Sequence, residues 1–357
     1  MASQMTKIIR TRLRQATRST RLRLTTRLVV GVGVLIAVIA HVGTGPLLRG
    51  LLSLDGRTIG AALLLAAIAT AGAAWRWRLI ATRLGVELRW STAFGMYYQS
   101  QFLNTVLPGG IVGDVHRAVA RGRSAESIKQ TARSVAIERT AGQVVQLALA
   151  LMVLACFGAE FEGYLLAAFA IGLGMILVAL LVTSVASVRG RTALLHEARE
   201  LRAGLGSVRA SAKVGIASVI VIACHVATFT IATTAVGENV PPLQMLTLAF
   251  VILLGASIPL NVGGWGPREG IAGWAFALTG YGASAGVAAS TLFGALTIIS
   301  VAPGAIFTVV SAVRQRKANN AAPRPAPRSR LGDSLSTQSA PTAPVLVLAA
   351  RNQEKTP

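Results

Sequence analysis

Charge is what this chain has least of. Only 13% of its 357 residues are Asp, Glu, Lys or Arg, about half of the roughly 25% usual in soluble domains. With 53% hydrophobic residues and a mean hydropathy of +0.60, the deficit excludes an ordinary water-soluble enzyme and points to an integral membrane protein. Acids are scarcest, 13 against 35 Lys and Arg, for a net charge of +22. Cysteine is nearly missing. Cys156 and Cys224 both fall inside apolar runs, which excludes a disulfide framework or zinc cluster and reads as small buried residues in helices. The four histidines do not cluster: His196-Glu197 lacks the second histidine of a zinc-protease helix, and His41 and His225 lie on apolar faces and read as satisfied within the bundle. No P-loop, no G-x-G-x-x-G behind a strand and no nucleophile elbow is present. The expectation is no catalytic residue, no metal, no cofactor and no enzymatic activity.

What is present is a series of apolar runs separated by basic loops. The bases sit in the tails and between the runs, where cytoplasmic loops carry Lys and Arg. The predicted partner of the positive charge is therefore membrane phospholipid, not nucleic acid. The chain has room for about six to eight crossings at roughly 20 residues each. Residues 1–27 form a basic cytoplasmic arm with no acid. Residues 28–313 form the membrane domain, and 314–357 a Pro-, Ala- and Ser-rich basic tail that reads as disordered and cytoplasmic. The first crossing is expected from Leu28 to about Leu48 and the second from about Thr58 to Ala81, ending in Trp75, Arg76, Trp77 and Arg78. That Trp–Arg cluster reads as interfacial, with the guanidinium reaching water. Further crossings are expected up to Phe157, from Tyr164 to Val188, from Val214 to Val236 and from about Ala283 to Val313. The plasma membrane, with both termini cytoplasmic, is the expected location.

Two breaks interrupt this pattern. The first is Leu107-Pro108-Gly109-Gly110-Ile111-Val112-Gly113-Asp114, followed by Arg117; the second runs from Pro259 through Asn261, Gly263, Gly264, Gly266, Arg268 and Glu269. Irregular backbone survives at membrane depth only when packed in protein or lining a wet cavity. Residues 91–107 carry basic flanks on both sides and are expected to dip into the membrane and return. The apolar pieces around the second break (243–280) satisfy the charge pattern either as a re-entrant hairpin or as full crossings. The predicted fold class is an all-α polytopic membrane protein with two re-entrant or broken-helix elements. The breaks open from opposite sides, the arrangement of an inverted repeat.

The breaks also hold the candidate site. Arg117 and Arg268 offer planar, permanently charged forks that match phosphate oxygens. Gly109, Gly110, Gly113, Gly263, Gly264 and Gly266 free backbone N–H groups beside helix starts, where anions bind. The plainer reading makes the glycines tight turns and the arginines loop charges. Asp114, Glu138 and Glu269 are the matching acids: they pair with arginines, bind protons, or meet a lipid amine, with Glu138–Arg139 and Glu269–Arg268 the simplest pairs. Asn104 and Asn261 flank the breaks and hydrogen-bond either freed backbone or ligand.

Three motifs in order carry a resemblance: Phe102-Leu103-Asn104-x-x-Leu107-Pro108-Gly109-Gly110-x-x-Gly113-Asp114-x-x-Arg117; Glu138-Arg139-x-x-Gly142; and Pro259-x-x-x-Gly263-Gly264-x-Gly266-x-Arg268-Glu269. Over about Leu28 to Val313 the chain resembles the transmembrane, flippase-like region of lysylphosphatidylglycerol synthases. Full-length members of that family add a soluble aminoacyl-transferase domain, and only a tail follows Val313 here. The resemblance therefore implies a stand-alone translocation half, moving a phospholipid or polyprenyl-linked lipid between leaflets with its headgroup at the two breaks. The alternative is a non-transporting scaffold or accessory subunit for a separate envelope-synthesis enzyme.

Overall fold

The computed structural model describes residue 33 and residues 36–107, 112–120, 125–161, 163, 206–257 and 266–321. The tips of both breaks (108–111 and 258–265), the crossing expected at 164–188, most of the basic loop at 189–213, the arm at 1–27 and the tail beyond 321 lie outside the described residues; the first part of the tail expected as disordered, 314–321, is instead helical. By internal contacts the chain divides into Met1–Ser311 and Ala312–Pro357; the site described below lies wholly in the first unit.

The described residues are all-helical, and the fold is that of a polytopic membrane protein. After a helical stretch at 36–42 come α1 (Gly45–Leu52), α2 (Gly56–Arg83), α3 (Trp90–Val106), α4 (Val112–Ala120) and α5 (Ala125–Phe157). A short 3₁₀ turn at Ala159–Phe161 follows. The second half holds α6 (Val208–Ala235), α7 (Pro242–Ala256), α8 (Pro267–Leu278), α9 (Ala283–Val301) and α10 (Pro303–Ala321). Among the described residues, four stretches are long and apolar enough to cross a membrane: Gly56–Arg83, Ile128–Phe157, Val208–Ala235 and Ala283–Ser311. One expected crossing changes. The run expected as one crossing from Leu28 to Leu48 is interrupted where Gly43 takes φ +84, so α1 is a separate short helix. The final run keeps membrane length over Ala283–Ser311, with a local break between α9 and α10 because Pro303 supplies no N–H to the ladder.

Local chemistry sets the helix starts. Asp55 caps α2, accepting from the Thr58 N–H at 2.7 Å while Thr58 Oγ1 accepts from the Asp55 N–H at 3.2 Å. Hydrogen bonds from the Thr58 side chain and backbone hold the Asp55 carboxyl below its ordinary range. Ser207 caps α6 through the Ala210 N–H, and proline opens α7, α8 and α10.

Helix α9 is the hub. It is buried almost all round from Ala285 to Leu296, and α1, α2, α6 and α8 pack on it. Its small residues permit close approach: a Cβ at Gly286 would collide with the Ala272 carbonyl of α8, and one at Gly50 of α1 with the Ala288 carbonyl of α9. Phe229, Phe276 and Phe293 stack edge-on where α6, α8 and α9 meet.

Each break joins two described helices that pack antiparallel. In the first, Asn104 meets Gly113, Ser100 meets Asp114, and Tyr97 meets Arg117, so α4 runs back antiparallel along α3. In the second, Gly255 meets Ile271, and Gln244 meets Tyr281, so α8 returns along α7. Fifteen and 12 residues in α7 and α8 give lengths of about 22 and 18 Å, short of a hydrocarbon core of roughly 30 Å. Apolar Val112, Val115 and Val119 form an exposed stripe on α4, opposite buried Asp114 and Arg117. That is the pattern of a half-helix with one face to lipid and one to protein.

Three side-chain expectations are corrected. Cys156 and His41 are exposed, on faces turned away from the bundle. The Trp–Arg cluster at the end of α2 is not all interfacial. Trp77 is fully buried and donates from Nε1 to Ser134 Oγ at 3.1 Å, and Arg76 is 6% exposed.

Candidate functional site

Arg76 is buried because it has a carboxylate to meet. Its Nε donates to Glu138 Oε1 at 3.0 Å and its Nη1 to Ser218 Oγ at 2.7 Å. Helix α5 makes room: a Cβ at Gly142, one turn past Glu138, would lie 2.9 Å from the Arg76 guanidinium. Tyr97 donates its hydroxyl to the same Glu138 oxygen at 3.2 Å. Arg117, 0% exposed, sits 3.5 Å from Glu138 Oε2 and donates to Asp114 Oδ1 at 2.6 Å. Its guanidinium lies between the rings of Trp77 and Tyr97, 4.7 and 4.3 Å from their centroids, an arrangement that offsets part of the cost of burying the cation. Arg139 does not pair with the adjacent Glu138 as expected. The two point to different faces of α5, and Arg139 reaches Asp114 Oδ2 at 2.6 Å.

The first break thus carries a node of three arginines and two carboxylates drawn from α2, α4 and α5. Asn104 ties it to the turn: its Oδ1 accepts from the Gly113 N–H at 2.8 Å and its Nδ2 points to Asp114 at 3.4 Å. Gly113 is required here because a Cβ would collide with the Ser100 carbonyl.

The second node is smaller. Gly266 takes φ +116, a conformation suited to glycine, and begins α8. Its N–H donates to Glu269 Oε2 at 2.7 Å. Glu269 uses its other oxygen to accept from Arg268 Nε at 3.0 Å, and Ser290 Oγ lies 3.0 Å from the same nitrogen. Here the expected Arg268–Glu269 pair is present. Gly294 on α9 clears the space: a Cβ there would collide with the Arg268 guanidinium.

A cavity of about 370 Å³ lies between the nodes. Its walls come from α2, α3, α5, α6, α8 and α9, and it brings Arg139 and Arg268 onto one surface together with Ser100, Gln101, Asn104 and Thr105. Gln101 accepts from Thr70 Oγ1 at 3.0 Å, pinning α3 to α2 at the wall. His225, expected on an apolar face and satisfied within the bundle, lines this space. The lining also includes the Ala62, Ala66, Ala69 and Ala73 stripe of α2, at the i, i+4, i+7, i+11 spacing of one helix face. Arg117, a first choice for phosphate contact by sequence, does not reach the cavity; Arg139, 46% exposed at its side chain, does. Asp114, Glu138 and Glu269 are not on the wall either. Pro108, Gly109, Gly110, Asn261, Gly263 and Gly264 lie outside the described residues.

A family model of the lysylphosphatidylglycerol synthase TM region matches residues 24–304. The chain belongs to that family. No curated protein matches it. The region matched is the transmembrane part of these synthases and not a catalytic domain, which places the protein among membrane-integral proteins of lipid-related envelope function.

Several residues of this family member's site were missed by sequence reasoning. Arg76 resembled an interfacial residue, and Ser218 and Ser290 are unremarkable in sequence. A usable signal was Gly142, a glycine on the face of Glu138 that leaves room for a partner's side chain. Gln146, one further turn along α5, donates to the Leu253 carbonyl at 3.1 Å and satisfies the end of α7 just before the second break.

Proposed function

We propose that the protein is a lipid translocase whose headgroup site is the cavity between the two nodes. The observation that carries this reading is the shared wall, on which Arg139, bound to the first hairpin through Asp114, and Arg268, at the start of α8, face one space. Guanidinium groups bind phosphate oxygens in a planar, two-pronged geometry. The alanine stripe of α2 in the same lining would accept the start of the hydrocarbon chains. Ile298, on the wall and 42% exposed within the span Ala283–Ser311, places an apolar lip at the mouth, so the chains stay in the bilayer while the headgroup enters sideways. Rocking of the two hairpins about α9 would open the site to each leaflet in turn, as expected of an inverted repeat. The basic arm and tail support the reading that both termini face the cytoplasmic side of the plasma membrane.

The test is a leaflet-labelling assay in reconstituted vesicles. Wild-type protein should equilibrate a labelled phospholipid between leaflets, and Arg268→Ala and Arg139→Ala should each slow it about tenfold, the loss of one charged contact. Equal rates in wild type, both variants and protein-free vesicles would leave the scaffold role as the reading.

A further inference from the structure

Helix α6 carries a histidine that belongs to neither node. His225 lies one turn from the midpoint of the span Val208–Ala235, and its side chain is exposed into the cavity. Along α6 it sits between the nodes. Two turns back is Ser218, which binds Arg76; one turn on is Phe229, which packs edge-on against Phe293 beside the Arg268 guanidinium. Most hydroxyls on the same lining are spent within the protein. Thr105, Thr228 and Thr297 donate to the carbonyl one turn back, and Ser100 donates to Asp114. Three groups are not spent. Among the described residues, neither nitrogen of His225, nor the Ser300 hydroxyl, nor the Gln101 amide nitrogen has a hydrogen-bond partner. Ser300 is 4% exposed, so its hydroxyl meets little besides this cavity. Buried polar groups in native structures are paired, and an unpaired set lining one space calls for a partner in that space.

The set comes from α3, α6 and α9 and can donate at every member. An amide nitrogen only donates, a hydroxyl donates readily, and either tautomer of a neutral imidazole carries one N–H. Ionised phosphate oxygens are the matching acceptors. Resting on the reading of this cavity as the headgroup site, we infer that His225 is a headgroup contact, its ring N–H donating to a phosphate oxygen of the lipid, with Gln101 and Ser300 supplying further donors to the same group. A site near the middle of the bilayer is where a headgroup passing between leaflets is held. The α2 alanines and Ile298 in the same lining receive hydrocarbon, which assigns the phosphate to a lipid instead of a free solute.

The experiment reads His225 in the wild-type chain. The full chain in mild detergent is treated with diethyl pyrocarbonate at neutral pH, and modification of each histidine is followed by peptide mass spectrometry. Near-saturating phosphatidylglycerol, or a polyprenyl phosphate in a parallel arm, should slow modification of His225 about tenfold, while exposed His41 keeps its rate. Diacylglycerol, which has tails and no phosphate, and glycerol phosphate, which has phosphate and no tails, should each protect little at the same concentration. In native mass spectrometry, His225→Asn, which keeps an N–H donor, should hold the lipid nearly as the wild type does. His225→Ala should bind it about tenfold more weakly, the loss of one hydrogen bond to a charged group. If neither phosphate lipid protects His225, the ring faces only water and the inference is overturned. Equal protection by diacylglycerol would overturn the phosphate contact, and equal protection by glycerol phosphate the lipid assignment. Equal affinity of the wild type and His225→Ala would also overturn the inference. The protection assay needs no variant and decides the matter if His225→Ala fails to fold. Protection without leaflet exchange in vesicles would remove the translocase reading alone, whereas exchange with His225 unprotected would remove this inference alone.

Discussion

The two nodes solve one problem with different amounts of structure. At the first break, three arginines and two carboxylates from three helices interlock, with aromatic rings on either side of Arg117. At the second, adjacent residues of one helix, Arg268 and Glu269, pair beside Ser290 and close the helix start as they do so. A network that spans helices holds their relative positions, because moving any of them exposes a charge in a low-dielectric interior. A pair on one helix travels with that helix. The first node is thus built as an anchor, and the second as a part that can shift while staying neutralised. Both send one arginine to the same cavity.

The sharpest way to break this contrast is to remove the carboxylate from each side. Glu138→Gln strips the buried anion from between Arg76 and Arg117, and should lower stability by about 3–5 kcal/mol, read as a fall in midpoint by thermal unfolding in detergent. Glu269→Gln removes one charged partner and one helix-start bond, and should cost less, about 2–3 kcal/mol. Equal losses would mean that the two nodes are equivalent anchors. Next come the glycines that clear space. Gly142→Ala presses on Arg76, which is locked, and should destabilise by roughly 1–3 kcal/mol. Gly294→Ala presses on Arg268 at the cavity wall, and should slow leaflet exchange more than it lowers the unfolding midpoint. If Gly294→Ala lowers the midpoint as much as Gly142→Ala does, Arg268 is a structural residue like Arg76. The smallest effect is expected for Trp77→Phe, which keeps a ring over Arg117 and loses the bond to Ser134. It should cost about 1 kcal/mol and leave exchange unchanged, which a combined unfolding and vesicle assay would show.

Much of this was readable from the chain. Long apolar runs announced the membrane helices because burial in lipid needs length and hydropathy, both local properties. The breaks stood out because glycine and proline are poor helix material, and Arg268 and Glu269 paired as their adjacency suggested. What was hidden depends on which side of a helix faces inward. Arg76, Trp77 and Arg78 occur together in sequence, yet the first two turn into the bundle while Arg78 donates to the Leu88 carbonyl at the helix end. The same ambiguity made Glu138 and Arg139 look like a pair and put Arg117 ahead of Arg139 as a ligand contact. Neighbours in sequence sit about 100° apart on a helix, so adjacency predicts little about partners unless, as at Arg268, the residues occupy a helix start.

The close approach at Gly113 has a mechanical meaning. With no side chain between them, the backbones of α3 and α4 touch, and Asn104 clamps the Gly113 N–H across the turn. A joint fastened at both its contact point and its tip cannot scissor open. The first hairpin therefore bears load as one stiff bracket, seated against α10 through the Gly95–Phe307 and Gly304–Tyr98 contacts, and a ligand pressing on it strains the anchor as a whole and not one helix of it.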